Sequence, residues 1–234
     1  MRLFCFPHAG GQALTYRPWQ SQLPNFVEVC PVELPGHGTR RRDSPLSSLS
    51  EIVDATGEGI TSALDLPCAF FGHSMGAVIA FELARRLEDT RKAKLLGMFA
   101  SGREAPHLLV REPLIYDLPD PEFLAEVSAL NGIPDEILRN HELMELLMPT
   151  LRADFTAIET YRYRASSSLL TCPITVLGGL ADSVTREELE GWQAHTDRKV
   201  SVRMFRGDHF FLYGSAQSQV VEVLARELLD WTRG

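Results

Sequence analysis

The stretch AFFGHSMGAVIAFELARRL, residues 69–87, leaves the chain little freedom. An apolar, strand-like run ends in Gly-His-Ser-Met-Gly, and an amphipathic helical pattern begins at once. A strand must therefore turn directly into a helix. The two nearly touch at such a turn, and Gly72 and Gly76 carry no side chains that would clash there. The turn is sharp and strained, so Ser74 is pushed out above the sheet edge. The helix N-terminus aims partly positive N–H groups at the same place. A serine hydroxyl is a poor nucleophile until a base takes its proton and donors receive the oxyanion. The pattern predicts Ser74 as that nucleophile and the N–H of Met75 as one donor. A glycine-flanked serine in an ordinary strand-to-helix loop is the plainer alternative.

The alternation continues along the chain. Strand-like runs at 3–6, 27–32, 68–72, 95–100, 174–177 and 200–205 are mostly β-branched or aromatic and bounded by Gly or Pro. Several are apolar without alternation, as parallel strands covered on both faces are. Helical patterns at 48–64, 75–87, 185–194 and 219–231 separate many of them; the last repeats Val220, Val223, Leu224, Leu228 and Trp231. The expected fold class is α/β, with a mostly parallel central sheet and helices on both faces. Residues 103–165 break the alternation and hold no convincing strand. One helix there opens at Asp120 and Pro121 and closes near Gly132. DEILRN reads as a helical turn, and HELMELLMPTLRADFTAIETYRY as a longer helix, kinked or interrupted at Pro149. This is a helical insertion between two core segments, 1–102 and 166–234, with the serines at 166–168 as a hinge or loop.

In such a fold the chain order is serine, acid, histidine. His141, His195 and His209 come late enough to serve as base. His141 lies within the insertion and His195 at the end of a predicted helix; both read as solvated surface residues. His209, in RGDHFFL, sits just past the last predicted strand. A loop there returns over the C-terminal sheet edge, where open α/β sheets bind ligands. His209 is the expected general base and then acid. Asp182, in the loop after ITVLGG, is expected to fix the imidazole tautomer and stabilise the imidazolium. Asp208 is a rival, but a carboxylate rarely reaches its neighbour's ring nitrogen from behind, so it reads as a turn or surface group. The second oxyanion donor is expected in FPHAGG after the first strand, from the N–H of Ala9. Chain order and the role of its loop argue against His8 as the base, and His37 and His73 read as local packing or hydrogen-bonding residues.

Composition narrows the partners. A chain of 234 residues fits one generous domain with an inserted subdomain, and 44% hydrophobic content supports a large core. The formal net charge of −8 argues against nonspecific nucleic-acid binding and against a flat anionic membrane surface. No run approaches the roughly 18 apolar residues of a membrane-spanning helix, and the N-terminus shows no signal peptide. Cys5, Cys30, Cys68 and Cys172 read as buried free thiols in a reducing cytoplasm, with no spacing suited to a metal. Neither a metal nor a bound cofactor is expected, and nothing demands more than a monomer.

Taken together, FPHAGGQALTYRPW, ELPGHGTR, FFGHSMGA, ADFTAIETY and GDHFFL resemble the type II thioesterases of polyketide and nonribosomal peptide synthesis, which are α/β-hydrolases. The resemblance runs from Phe4 to about Leu212. It implies hydrolysis of thioesters between acyl groups and the phosphopantetheine arm of acyl or peptidyl carrier proteins, in an editing role. The substrate, not the enzyme, then carries the phosphopantetheine. It also implies Ser74, His209 and Asp182 as the triad, Ala9 and Met75 as the oxyanion hole, and residues 103–165 as a lid over the acyl chamber. Lid apolar residues, among them Leu118, Phe123, Leu130, Leu146 and Leu151, would carry substrate choice. Carrier docking would need a basic patch at 39–42, Arg85–Arg86 or 91–94. The family often has Arg where this chain has His37, and acidic residues in the loop before Asp182 where this chain reads GGLA. The chain opens almost directly on its first strand, so one or two early strands of the family sheet are expected to be absent. A general carboxylesterase or lipase, or an acyltransferase, would use the same residues; a noncatalytic binding protein would not need them.

Overall fold

The computed structural model describes residues 1–90, 94–108, 113–133, 135–165 and 168–233. Six strands make one sheet: β1 Arg2–Phe6, β2 Glu28–Pro31, β3 Cys68–His73, β4 Leu95–Ser101, β5 Ile174–Gly179 and β6 Val200–Phe205. Their spatial order is β2-β1-β3-β4-β5-β6. Every neighbouring pair is parallel. The first crossover runs outward from β1 to β2, and the next returns to place β3 on β1's other side. The direction in which strands are added across the sheet thus reverses between β1 and β3, and the crevice beyond their carboxyl ends is where such sheets bind ligands.

The strands read as unbroken apolar runs because both sheet faces are covered. Side chains alternate between faces. Phe4, Phe6, Cys68 and Phe70 point into one core with α1 Leu49–Ile60 and α2 Met75–Thr90. Leu3, Cys5, Ala69 and Phe71 point into a second core with Tyr16 and Trp19 of a 3-10 segment, Ala13–Ser21, and with α7 Gln217–Arg233. The two faces need different residues but equal hydrophobicity, so no polar alternation shows. No helix of the described residues is long and apolar enough to cross a membrane.

Between β4 and β5 lie α3 Asp120–Ala129, α4 Asp135–Leu138 and α5 His141–Glu159. They share a small core of Ile115, Phe123, Val127, Met144 and Leu151. α5 belongs to two cores, because Ala157 and Ile158 at its far end pack into the sheet's core. Arg152 ties the insertion together. Its guanidinium lies 4.1 Å from the Phe123 ring centroid and donates to the carbonyls of Tyr116 and Leu118 and to Asp120. Of the two outcomes expected at Pro149, a kink or an interruption, the interruption is absent: α5 is continuous through it. The Asn140 side chain caps its start by accepting the Leu143 N–H, and apolar anchors on both sides of Pro149 hold the helix in register. Most of the insertion's apolar residues pack it internally, whereas Leu130 and Leu146 face solvent. The last predicted helix before β6 is shorter in α form. α6 spans Arg186–Glu190 under a Thr185–Glu188 capping box and tightens into a 3-10 turn at Gly191–His195.

Glycine spacing at the β3–α2 junction can be tested against an open glycine. A Cβ on Gly76 would lie 2.2 Å from the Phe6 carbonyl oxygen, whereas one on Gly59 in α1 meets nothing within 4 Å. Gly76→Ala should cost about 3 kcal/mol in urea unfolding, the upper end for overpacking. Gly59→Ala should add about 0.5–1 kcal/mol through helix propensity.

Candidate active site

Ser74 stands between β3 and α2 with φ of 54°, in the left-handed region that a non-glycine residue enters at a cost of about 1–3 kcal/mol. The surroundings enforce it. Its N–H donates to the Ser101 carbonyl at the end of β4 (2.7 Å), and its own carbonyl accepts the Ala77 N–H (3.0 Å). A Cβ on Gly72 would lie 2.1 Å from the Gly76 carbonyl oxygen, so strand and helix touch through bare backbone. Met75 opens α2, and its N–H is among the donors a helix leaves without an intrahelical partner.

His209 and Asp182 meet across the loops that follow β6 and β5. His209 Nδ1 lies 2.9 Å from Asp182 Oδ2; the imidazole is 19% exposed and the carboxylate 2%. Burial alone would raise the Asp182 pKa. The His209 hydrogen bond and charge, with donors from Val184 and Ser183, hold it below the usual carboxylate value instead. Asp208 does not face the ring. Its Oδ1 accepts the Phe210 N–H (2.9 Å) and its Oδ2 accepts from the Asn131 amide (3.3 Å), so it shapes the turn and touches the insertion. The His209 ring lies 5.0 Å from that of His73, the residue before Ser74. The loop from β6 therefore crosses back to the serine turn.

The loop after β1 completes the edge. Gly11 N–H donates to the His8 carbonyl (2.8 Å), and Gly10 N–H to Asp154 Oδ2 (2.7 Å). Between these anchored amides, the N–H of Ala9 has no hydrogen-bond partner among the described residues. His73 is a packing residue, as expected, and His8 packs beside it. Burial first, then the charge of His209, lowers His8 to about 3 and His73 well below its ordinary value. Both stay neutral near neutral pH beside the His209 imidazole. His141 is exposed, as expected.

His195 is not the solvated residue expected. It is 3% exposed, packed against Phe81, Tyr163 and Trp192, with Nε2 2.8 Å from His107 Nδ1. Burial, then His107 and Arg85, lowers its pKa to about 4. The cause is the 3-10 turn: positions i and i+3 eclipse in such a turn, so Trp192 carries His195 inward. His107 also lines a cavity of about 510 Å³ with Val78, Arg103, Tyr161 and Tyr163. That cavity opens beside α2, and Ser74, Asp182 and His209 are not among its lining residues. The sequence reading assigned no role to Asp154, an acid on a core-facing stripe of α5. The thiols are inert: burial raises Cys5 well above its ordinary value, Cys30 to about 11, and Cys68 and Cys172 to about 12.

A parallel sheet whose strand order reverses at a strained serine turn, with a histidine–aspartate pair on the loops of its last two strands, has the α/β-hydrolase fold. The thioesterase domain family model matches residues 1–228. The gramicidin S biosynthesis protein GrsT of Aneurinibacillus migulanus is 41% identical over 97% of this chain and 89% of its own. The crystal structure of ClbQ from the colibactin NRPS/PKS pathway superposes with a TM-score of 0.94 at 32% identity, covering 99% of this chain and 98% of that one. The type II thioesterase BorB of the borrelidin cluster gives 0.85 at 35% identity, over 97% and 90%. The chain belongs to the thioesterase family.

Two expectations follow from this geometry. Asp182→Asn should lower kcat by about 10⁴-fold through loss of the correct tautomer, while Asp208→Asn costs less than about tenfold in the same steady-state assay. Stability should fall as pH drops below about 6.5, the unfolded histidine value. His8, His73 and His195 all bind protons less readily folded than unfolded. Their contribution is therefore complete above that pH and is lost below it, at up to about 1.4 kcal/mol per pH unit for each. Urea titrations at pH 7 and pH 5 measure the slope, and His8→Gln should remove one share of it.

Proposed function

We propose that this chain hydrolyses acyl thioesters carried on the phosphopantetheine arm of carrier proteins, as an editing enzyme of polyketide or nonribosomal peptide synthesis. The observation that carries the chemistry is the His209–Asp182 pair, set at the same sheet edge as the strained turn of Ser74. The Ser74 hydroxyl attacks the thioester carbonyl while His209 Nε2 takes its proton. The N–H groups of Ala9 and Met75 receive the oxyanion, each contributing about 3 kcal/mol. The tetrahedral intermediate collapses, the C–S bond breaks, and the thiolate leaves with the proton from His209. Water then gives a proton to His209 and attacks the acyl-serine; collapse frees the carboxylic acid and returns the proton to Ser74. Thiolate is a good leaving group, so a small hydrolase with a partly exposed imidazole suffices. The names of the relatives, from gramicidin S, colibactin and borrelidin biosynthesis, support a carrier-bound substrate.

Residues 103–165 serve in this reading as the lid. Docking of an acidic carrier needs local positive charge. Arg85 pairs with Glu82 and Arg86 with Asp54, and Arg85 lies about 16 Å along α2 from Ser74 at 1.5 Å per residue. Arg91 and Lys92 fall outside the described residues. Arg41 and Arg42 are exposed on the loop that leaves the carboxyl end of β2, the sheet edge that also carries Ser74, and have no ion pair among the described residues. They form the patch of choice.

Ser74→Ala should reduce hydrolysis by about 10⁴-fold or more, followed by mass spectrometry on a panel of acyl groups loaded on carrier protein. Normal turnover by that variant would end the reading, and equal turnover of a matching oxygen ester would turn it into a general esterase. Arg41→Glu with Arg42→Glu should raise KM for the acyl-carrier by about tenfold, two weakened charge contacts, and leave KM for a small acyl thioester unchanged.

A further inference from the structure

Asp154 lies on α5, is 1% exposed, and has both of its hydrogen bonds on one oxygen. Oδ2 accepts the Gly10 N–H at 2.7 Å and faces His37 Nε2 at 2.8 Å. The other ring nitrogen, Nδ1, lies 3.0 Å from the Pro35 carbonyl oxygen. The Pro35 carbonyl only accepts, so Nδ1 carries a proton, and Nε2 shares one with the Asp154 carboxyl group. Two neighbours on α5 touch the same loops. Thr150 Oγ1 donates to the Gly36 carbonyl (3.2 Å). Leu151 lies where a Cβ on Gly10 would be, 2.4 Å from Leu151 Cδ2, and Gly10 has φ of 73°.

These contacts bracket Ala9. The peptide before it is fixed because its carbonyl, that of His8, accepts the Gly11 N–H. The peptide after it is fixed because its N–H, that of Gly10, donates to Asp154. We propose that Asp154 is the positioning residue of the oxyanion hole: held on the insertion, its Oδ2 fixes the Gly10 N–H and with it the Gly10–Gly11 turn, whose Gly11 N–H holds the His8 carbonyl, so that the His8–Ala9 peptide presents the Ala9 N–H to the reacting carbonyl. The hole is then complete only while α5 is seated on the core. The proposal rests on the reading of Ser74 as nucleophile and Ala9 as donor. A purely structural ion pair between Asp154 and His37 is the competing account.

Length and charge separate the two. Asp154→Asn keeps an oxygen at the right distance for Gly10 and loses the charge. Asp154→Glu keeps the charge and moves the oxygen. A positioning role predicts kcat per active site within about tenfold of the parent for Asp154→Asn, and a loss of about 10²-fold for Asp154→Glu and Asp154→Ala, with KM unchanged. Active sites are counted by fluorophosphonate titration, so an unfolded fraction does not enter. Affinity for an alkyl boronic acid, whose adduct with Ser74 places an oxyanion in the hole, should fall by the same factor as kcat/KM. Affinity for an unreactive thioether analogue should hold. The reverse order, with Asp154→Glu active and Asp154→Asn impaired, overturns the proposal, as does unchanged kcat per site in both or equal loss of boronate and thioether affinity. If Asp154→Ala does not fold, the Asn and Glu pair decides alone. Full activity in Ser74→Ala would instead remove the functional reading, a failure read from a different variant.

Discussion

The site depends on a contact made by backbone alone. At Gly72 and Gly76, β3 and α2 approach until neither position has room for a Cβ, and Gly76 also abuts the carbonyl of Phe6 at the end of β1. Three consequences follow from this one approach. Ser74 is forced into its positive-φ turn. The first turn of α2 is delivered with its free N–H groups beside the serine. The end of β1, where the Ala9 loop starts, is fixed against that same helical turn. The strain at Ser74, about 1–3 kcal/mol, is sustained because β3 is an interior strand with every side chain buried.

The insertion meets this edge at two points. At the end of α3, Asn131 donates to Asp208, and Gly132 leaves room for the Phe210 ring, so it touches both neighbours of His209. On α5, Leu151 and Asp154 hold Gly10 beside Ala9. The loop that carries His209 and the loop that carries Ala9 are thus braced from the same insertion. Its own small core and the Arg152 brace let it act as a unit. A substrate that disturbed its seating would be felt at both loops.

Much of this was legible in the sequence for identifiable reasons. Strands buried on both faces leave continuous apolar runs, and all six lie within two residues of where those runs placed them. The serine turn was legible because glycine spacing and a change of period mark it locally. His209 and Asp182 were legible from chain order and from their places just after strands. What failed was not local. His195 faces inward because a helix tightened into a 3-10 turn, and apolar periodicity does not distinguish those two windings. α5 runs through Pro149 because packing on both sides outweighs one lost hydrogen bond. Asp154 meets partners 144 and 117 residues away, and no local pattern encodes such a contact. Its one trace is an acid on the apolar stripe of α5.

The imidazoles at this edge also explain why one of them is suited to proton transfer. His37 has a carboxylate partner, but both of its nitrogens are engaged, one by the Pro35 carbonyl and one by Asp154. Burial is outweighed there by Asp154, the Pro35 carbonyl and Glu33, which raise its pKa above the ordinary histidine value. His73 has an unpartnered Nε2 but no carboxylate, and burial keeps it neutral. His8 is likewise buried, with Nδ1 3.3 Å from the Tyr213 hydroxyl. His209 alone combines a carboxylate on Nδ1 with an Nε2 that has no partner among the described residues and with access to solvent. One nitrogen is held and the other is available, so a proton arriving there is stabilised by Asp182 without being trapped. The neutral neighbours are part of that selection: a second imidazolium within 5.0 Å would oppose protonation of His209.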